Sequence, residues 1–538
     1  MSQLLLHGGI VYDPANQIDG QQRDLCIDDG KIVATFPPGA SPKRIDVTGM
    51  VVMPGGVDIH CHIAGPAVNR ARRLLPELNE GPLTSTIRTG QRYAALGYTT
   101  AIEAAIAATG ARQTHFELAA TPNLDTGFLL LLANHEQVLE AMVKSDAEAL
   151  RVLVAALLER TGAFGIKIVN PGAVAAWQRH GGNPLELQSI DDKLGSTTLT
   201  PRAILTQLAD VADALKLPHP VHVHANRLGV PGNIDITLQT LQALQGRRHH
   251  LTHVQFHAYD QKNGQIASAA ARLMDYLNQH PESTCDIGQV MFGSAVTLTE
   301  DSPLEYLLWQ LTGKRWVNLD IEQESGCGML PFEFKDKVTL HAWQWAIGLE
   351  LFLLAKNPWQ VVLSTDHPNG ASFLAYPQII ALLMDAAYRR EQLAKIPEAV
   401  REQSLLKDLQ REYTLSEIAI ITRAAPARIL GLDHKGHLGV GADADVTVYS
   451  PHDNKETMFR SPRLVIKGGA VVVEEGHLRE AVTGTTMACA ATLEPSGVKM
   501  LRDWFTQRGS YAYEQFGVTG RHREWLRRIS QESRLDQG

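Results

Sequence analysis

The stretch Val57-Asp58-Ile59-His60-Cys61-His62 is the centre of the predicted fold. It closes an apolar run that begins at Val51, and this composition predicts a short buried strand. Successive side chains of a strand point to opposite faces, so His60 and His62 share one face. Two imidazoles in that relation can hold one metal ion, although a half-buried strand with two solvated histidines would have the same spacing. Ligands elsewhere in the chain decide between these interpretations.

Length and composition limit the class of protein. The 538 residues are 44% hydrophobic and 20% charged, as in ordinary globular proteins. A formal net charge of −8 disfavours broad binding to nucleic acid or to an anionic membrane surface. The five cysteines include no Cys-x-x-Cys pair, which indicates reduced thiols and leaves no iron–sulfur pattern. Since no signal peptide or membrane span is predicted either, we expect a cytoplasmic protein.

The two ends of the chain predict one small β domain. Short β-type segments separated by Asp, Gly and Pro turns fill residues 3–52, and similar segments recur between Ala444 and Val473. Because the first set is too short to close a sheet alone, we predict a discontinuous β domain from residues 1–52 and 434–490. Residues 491–538 are predicted to form a C-terminal helical extension.

Residues 53–433 alternate strand-like with helix-like segments, the longest helix being predicted at about 136–160. Eight strands separated by helices are the pattern of a parallel sheet closed into a (β/α)8 barrel, so the predicted class is α/β. The region 293–340 interrupts this alternation and is predicted to be an insertion over the barrel mouth. Its apolar side chains predict contacts with other subunits. These residues include Trp309, Trp316, Leu330 and Phe332.

Polar residues fall where the predicted barrel strands end, which is the edge that carries the chemistry in such barrels. The candidates are His60 and His62 on strand one, Lys167 on strand four, His222 and His224 on strand five, His253 and His257 on strand six, and Asp366 on strand eight. Zinc-type ions favour imidazole and carboxylate, and this set is sufficient for two ions. A strand lysine is more often paired and a lone histidine more often a core residue, but their joint order indicates a metal site.

The order His-x-His, Lys, His, His, Asp across a barrel with a two-ended β domain resembles the amidohydrolase superfamily of metal-dependent hydrolases. Residues 436–445 are similar to that superfamily's return to the β domain. Five segments further resemble the A-type subunit of formylmethanofuran dehydrogenases and, equally, the α subunit of bacterial formyltransferase/hydrolase complexes. These segments are residues 57–62, 165–172, 222–229, 252–257 and 364–370. The resemblance extends over nearly the whole chain.

The resemblance implies a site that binds two zinc ions. The implied ligands are His60, His62, Lys167, His224, His253 and Asp366. Lys167 would carry a carbamate, which turns a cation into an anionic bridge between the two ions. In strand five, His224 is preferred because His-Ala-Asn is more similar to the relatives' ligand position, and His222 is the alternative.

The implied reaction is hydrolysis of the formyl group of a methanofuran- or methylofuran-type C1 carrier to formate and free amine, within a multi-subunit complex of one-carbon metabolism. The implied catalytic residues are Asp366, as general acid–base, and His257. Substrate contacts are expected from Asn226, Arg227, Gln255 and Asn369. The carrier's acidic tail is expected to meet Arg70, Arg72 and Arg73 on the first βα loop, unless these arginines pair with Glu77 and Glu80.

Three alternatives stay open at this level. The chain could belong to an archaeal-type formylmethanofuran dehydrogenase and condense formate with the carrier, since ligands do not set the direction; the modest charged content favours a mesophilic source and hence the hydrolase. It could be a cyclic-amide hydrolase such as a hydantoinase or dihydroorotase, although Asn226-Arg227-Leu228-Gly229 argues against this. It could be a non-catalytic scaffold, although the complete ligand set argues against that.

Overall fold

The computed structural model describes most of the chain. The described residues are 3–65, 68–69, 72, 85–173, 187–194, 197–262, 264–299, 317–319, 327–508, 513–515, 517–518 and 526–530. Several residues singled out from the sequence lie outside these ranges, namely Arg70, Arg73, Glu77, Glu80, Trp309 and Trp316. No helix within the described ranges is long and apolar enough to cross a membrane.

The strands are numbered in chain order. Those of the first half are β1 Leu4–Asp13, β2 Ile18–Asp28, β3 Lys31–Val33, β4 Lys43–Asp46, β5 Val51–Pro54, β6 Gly56–Cys61, β7 Tyr98–Ile106, β8 Asp125–Leu131, β9 Gly165–Val169, β10 Val221–His224, β11 His249–Leu251, β12 Tyr259–Lys262 and β13 Gln265–Ser268. Those of the second half are β14 Thr284–Asp286, β15 Gly293–Thr299, β16 Val317–Leu319, β17 Cys327–Phe334, β18 Val361–Val362, β19 Val446–Tyr449, β20 Leu464–Lys467, β21 Ala470–Glu474, β22 His477–Leu478, β23 Thr486–Cys489 and β24 Leu526–Ile529.

The α-helices are numbered in the same way. They are α1 Thr86–Ala95, α2 Ala111–Ala119, α3 Glu136–Val143, α4 Ala147–Thr161, α5 Pro201–Ala214, α6 Ile234–Ala243, α7 Ala270–Gln279, α8 Thr339–Leu354, α9 Tyr376–Met384, α10 Ala386–Leu393, α11 Glu398–Arg401, α12 Leu415–Ala419, α13 Ala425–Leu430, α14 Lys455–Arg460 and α15 Pro495–Arg508. A π-helical turn, Ile420–Ala424, connects α12 directly to α13.

A nine-stranded sheet joins the two ends of the chain. β1 to β5 come from the first end and β19 to β22 from the second, and they meet where β5 pairs antiparallel with β19. Alternate residues of β1 are buried, because one face of this sheet packs on a core of its own. That core takes Leu6 and Val52 from one end and Val448 and Ile466 from the other. The predicted discontinuous β domain is confirmed as part of the fold class.

The central sheet is the parallel barrel. Its strands follow the order β6, β7, β8, β9, β10, β11, β14 and β18. A bridge between Cys61 and His367 closes the ring, and the backbone N–H of His62 donates to the carbonyl of His367 at 2.7 Å. All seven residues of β8 are buried, as expected for a parallel strand covered on both faces. The predicted (β/α)8 class is therefore confirmed.

The barrel sheet also contains two strands from the C-terminal part of the chain. β23 pairs in parallel with β8, with Thr486 opposite Thr126, and β24 runs parallel to β23. The structure thus differs from the predicted boundary at residue 490, which assigned β23 to the β domain. The region after 490 contains α15 and, in addition, the strand β24. Pairing between strands so far apart in sequence leaves no local pattern from which to predict it.

The region predicted as an insertion contains a small sheet of its own. β15, β17 and β16 form three antiparallel strands, with β17 in the middle. Phe332 on β17 contacts the rings of Phe334 and His341, at centroid distances of 4.9 and 5.1 Å. Phe332 is half-buried and packs against the main core, so it contributes to attaching this sheet to the barrel.

A buried charge network, which we call the interdomain ion cluster, joins barrel and β domain. It consists of Asp125 on β8, Lys435, Asp443, Asp445 and Lys467 on β20. Nζ of Lys435 lies 2.6 Å from Asp445, and Nζ of Lys467 lies 2.7 Å from Asp125. Burial alone would raise the pKa of Asp125, but the two ammonium groups hold that pKa well below its usual range. Asp125 is the member that the barrel contributes, so its charge is compensated by Lys435 and Lys467 only while the two domains keep this relation.

Candidate metal centre

Strand β6 brings His60 and His62 to one carboxylate. The Nε2 atoms of His60 and His62 lie 3.1 and 3.2 Å from the same oxygen, Oδ1 of Asp366. Asp366 follows β18 in the left-handed backbone region, with φ of +51°, and its N–H donates to Oγ of Ser364 at 2.8 Å. Burial alone would raise the pKa of Asp366, but the neighbouring imidazoles of His60 and His253 hold it well below its usual range. The structure therefore assembles the first three predicted ligands.

A second group of imidazoles adjoins the first. Nδ1 of His224 lies 3.0 Å from Nε2 of His253, and ligand atoms of His224, His253 and His257 all lie within 4.8 Å of one another. His253 belongs equally to a group with His60 and Asp366, so it stands between the two. His253 has φ of +35°, and a Cβ at Gly288 would come within 2.3 Å of its Cβ. Glycine is therefore required at residue 288 for this approach.

Lys167 lies on β9 beside these imidazoles and is only 2% exposed. β9 and β10 pair so that Lys167 is opposite His222. Burial is the main cause that lowers the pKa values of His222, His224 and His257, and the positive charge of Lys167 lowers them further. A lysine cation among imidazoles is thus electrostatically unfavourable, whereas an anionic group on its Nζ would suit a site for cations.

The two candidate histidines of strand five point to different partners. Nε2 of His222 lies 3.2 Å from Nδ1 of His60, and Nδ1 of His222 lies 2.9 Å from Nε2 of His219. His222 therefore packs against the side of His60 that faces away from Asp366. His224 is the one grouped with His253 and His257. This geometry supports the preference for His224 as ligand, which stays a prediction.

Glu103 is a buried carboxylate that the sequence patterns did not single out. Its Oε1 lies 3.0 Å from Nδ1 of His62, and its Oε2 accepts the backbone N–H groups of Ile63 and Ala64 at 2.6 and 2.9 Å. The carboxylate thereby fixes the orientation of the His62 ring and leaves Nε2 directed at Asp366. Such partners of metal-binding histidines orient the ring and raise its basicity.

Asp286, the last residue of β14, fixes the orientation of the His60 ring, as Glu103 does for His62. Its Oδ2 lies 3.1 Å from Nδ1 of His60 and 3.3 Å from Nε2 of His250, while Oδ1 accepts the N–H of His253 at 2.9 Å. Burial alone would raise the pKa of Asp286, but His60 and His250 hold it well below its usual range. Since Asp286 ends a barrel strand, the strand-end criterion used for the histidines would have found it.

Asn369 and Asn226 were predicted to contact substrate, and both lie close to the cluster. Nδ2 of Asn369 donates to Oδ1 of Asp366 at 3.1 Å, so this amide touches a predicted ligand. Nδ2 of Asn226 donates to Oδ1 of Asn170 at 2.9 Å and to the carbonyl of Pro171 at 3.2 Å. Asn226 thereby connects the ends of β9 and β10 in the structure.

The other two predicted contacts make bonds within the protein. The guanidinium group of Arg227, which is half-buried, donates to Oε1 of Gln188. The amide nitrogen of Gln255 donates to the hydroxyl of Tyr259 at 3.0 Å and to the carbonyl of Gln344 at 2.9 Å. Gln255 is fully buried, and these bonds anchor the 3₁₀ turn Val254–His257 to β12 and α8.

Arg72 is the described member of the predicted arginine cluster, and it is buried at 5% exposure. One terminal nitrogen donates to the carbonyl of Ile63, and the other donates to Oδ1 of Asn69 at 2.8 Å. Glu117 lies 3.9 Å away. Arg72 thus ties its loop to Ile63, two residues after strand β6, and its guanidinium group is used in bonds within this region, which gives no support to the predicted contact with a substrate tail.

Metal-binding donors at the C-terminal edge of a closed parallel barrel, next to a β domain made from both chain ends, define a metal-dependent hydrolase of the amidohydrolase type. Residues 43–473 match the model of the Amidohydrolase family, so the chain belongs to that family.

Similar proteins narrow the class. Protein FwdA of Methanocaldococcus jannaschii is 41% identical over 519 residues, which is 90% of each chain. The A-type subunit of the formyltransferase/hydrolase complex Fhc of Methylorubrum extorquens is 39% identical over 538 residues, covering 95% of this chain and 96% of that one. A chain in the crystal structure of the FhcABCD complex from Methylorubrum extorquens with methylofuran superposes with a TM-score of 0.93 at 37% identity, covering 98% and 99% of the two chains. The predicted resemblance is confirmed.

Proposed function

We propose that this chain hydrolyses the formamide of a formyl-methylofuran-type carrier to formate and free amine, as one subunit of a formyltransferase/hydrolase complex. The proposal is carried by the similarity to a chain of the FhcABCD complex, which extends over 98% of this chain and whose structure contains methylofuran. A match of that extent preserves the barrel edge on which the chemistry of this fold lies. The additional subunits and the carrier are inferred for this chain from that relative.

The residues present fit two zinc-type ions. We assign His60, His62 and Asp366 to the first ion, His224 and His253 to the second, and a carbamate on Lys167 to both. All of these side chains are buried, and His253 lies near both His224 and the pair His60 and Asp366, so the two ions would be neighbours. They would neutralise the Asp366 carboxylate and be bound by neutral imidazoles. When bound, two such ions would lower the pKa of a water molecule and polarise the formyl carbonyl.

The protein's own groups supply the proton transfers. Asp366 is held as a carboxylate by its imidazole neighbours, so it can accept a proton from the attacking water and pass it to the leaving amine. Asn369 donates to Oδ1 of Asp366 and keeps that oxygen in place. Hydrolysis consumes one water and yields formate and a primary amine. By microscopic reversibility the same residues serve formate condensation, the alternative direction.

The test is a metal and activity measurement on the assembled complex. We expect about two zinc ions per chain, formate release from N-formyl-methylofuran, and loss of release on chelation that added zinc reverses. Dihydroorotate and hydantoin serve as matched substrates for the cyclic-amide alternative. Hydrolysis of these cyclic amides alone, or a chain without bound metal, would overturn the proposal. Purification of the chain only as a monomer would overturn the assignment to a complex.

A further inference from the structure

His257 has an unusual environment for a buried histidine. It ends a 3₁₀ turn, Val254–His257, and its side chain is 0% exposed. Its backbone carbonyl accepts the hydroxyl of Thr237 at 2.9 Å. Neither ring nitrogen has a hydrogen-bond partner among the residues that the structure describes. A buried polar group without a partner costs free energy, and a ligand bound by this ring would offset that cost.

The ring lies beside the second group of imidazoles. Its centroid lies 5.2 Å from that of His253 and 5.4 Å from that of His224. Ligand atoms of the three residues lie within 4.8 Å of one another, whereas nitrogens around a tetrahedral zinc ion are separated by about 3.3 Å. Side-chain rotations that move the ring nitrogens by on the order of 1 Å would therefore bring all three nitrogens to one ion.

A neighbouring histidine group provides the contrast. His60, His222 and Asp286 also have ligand atoms within 4.8 Å of one another. There, however, the ring nitrogens that face the group are already bonded: His222 bonds to His219 and His60, and Nδ1 of His60 bonds to Asp286, while Nε2 of His60 faces Asp366 outside the group. That group is satisfied by the protein alone. Within the described part of the chain, the group with His257 still has ring nitrogens to offer to an ion.

We propose that His257 is a ligand of the second metal ion, as a third imidazole beside His224 and His253. The second ion would then be held by three neutral imidazoles and the group on Lys167, whereas the first would be held by two imidazoles, Asp366 and the same group on Lys167. This inference rests on the dinuclear site of the proposed function, but it does not depend on the substrate. It replaces the catalytic role that the sequence suggested for His257.

The test uses the full chain, stripped of metal and reloaded with zinc or cobalt. His257→Ala should keep the first ion and weaken the second by about 100-fold or more, since even outer partners of metal ligands contribute 10–100-fold. His257→Cys should keep both ions and add a thiolate-to-cobalt charge-transfer band, which reports a bond between residue 257 and the ion. His115→Ala is the matched control, because His115 is buried but bonds to the Thr161 carbonyl outside the cluster.

The outcomes separate this inference from the proposed function. Wild-type chain that binds no metal would refute the dinuclear site itself. Wild type with two ions, together with a His257→Ala variant of equal metal affinity and unchanged cobalt spectrum, would refute only the role of His257. The same holds if His257→Cys gives no charge-transfer band, or if the alanine variant raises KM for the carrier without altering metal binding. Loss of metal from His115→Ala to the same extent would indicate general destabilisation and also refute it.

Discussion

Replacement of Asp286 by asparagine tests how strongly the protein orients its first metal ligand. Oδ2 of Asp286 faces ring nitrogens of His60 and His250, and Oδ1 accepts the N–H of His253. When Nε2 of His60 binds an ion, its Nδ1 carries the proton and donates to Asp286. An asparagine has one acceptor oxygen, so it can keep either the backbone bond or the imidazole bonds, and its NH₂ group then faces another donor.

The expected effect follows from those contacts. Asp286→Asn removes a negative charge that two imidazoles share, and charge-assisted hydrogen bonds are about twice as strong as neutral ones. Loss of such a partner weakens metal affinity by about 10–100-fold, or about 1.4–2.8 kcal/mol. Zinc affinity should fall by that factor, and formate release should recover when zinc is in excess.

A competition titration against a chromophoric chelator measures the change. Asp58→Asn is the matched control, because Asp58 is equally buried but, among the described residues, accepts its hydrogen bonds from the backbone N–H of His60, at 3.1 Å, and from the hydroxyls of Tyr93 and Tyr376, and from no imidazole. That variant should lose stability while its zinc affinity is unchanged. Equal zinc affinity in Asp286→Asn and wild type would show that the carboxylate does not act through His60.

Other predictions concern the bridge, the interdomain ion cluster and the first loop. Lys167→Ala should lose most bound metal, and added acetate should restore part of it, as measured by metal analysis after desalting. Lys435→Met should lower the free energy of unfolding in urea by about 3–5 kcal/mol, because it leaves buried carboxylates uncompensated. Since its ammonium neighbours hold the pKa of Asp125 low, the stability from Asp125 is complete above its unfolded pKa of about 4 and is lost as the pH falls below it. The urea midpoint of unfolding should therefore fall less steeply with decreasing pH in Asp125→Asn than in wild type. Arg72→Gln should cost about 1–3 kcal/mol of stability and leave the salt dependence of KM unaltered; a salt-dependent KM effect would contradict its loop-tying role.

Local patterns predicted much of the barrel because its strands are continuously apolar and its helices amphipathic. His222 and His224, which were placed on predicted strand five, both lie on strand β10, Val221–His224. The predicted helix at about 136–160 is two helices, α3 and α4, because Ser145 adopts a φ of +55° and Asp146 caps α4 through Ala149. The Ser-Asp pair is a recognisable helix-start signal, so this break was predictable. The pairing of β23 with β8 was not, because it depends on tertiary contacts alone.

In the candidate site, too, some features were predictable from local sequence patterns and others were not. Two-residue spacing on a strand predicted that His60 and His62 would share one face, and both Nε2 atoms do lie near the same oxygen, Oδ1 of Asp366. Glu103 was missed because an isolated acidic residue inside a strand gives no indication of which histidine it will meet, whereas Asp286 ends a barrel strand and the strand-end criterion could have found it. Arg72 shows the converse: a loop arginine looks like surface charge in the sequence, yet it is buried against Ile63.

The two-ended β domain has a consequence for the order of synthesis. β5 ends at residue 54 and its partner β19 begins at residue 446, so the whole barrel must leave the ribosome before that pair can form. β1 to β5 therefore wait with an unsatisfied edge and an uncovered apolar face while the barrel folds. In pulsed hydrogen exchange during refolding, the amides of β5 and β19 should gain protection later than those of β8 and β9. Strands made after the barrel, β19 to β22, thus complete a sheet that the first strands began.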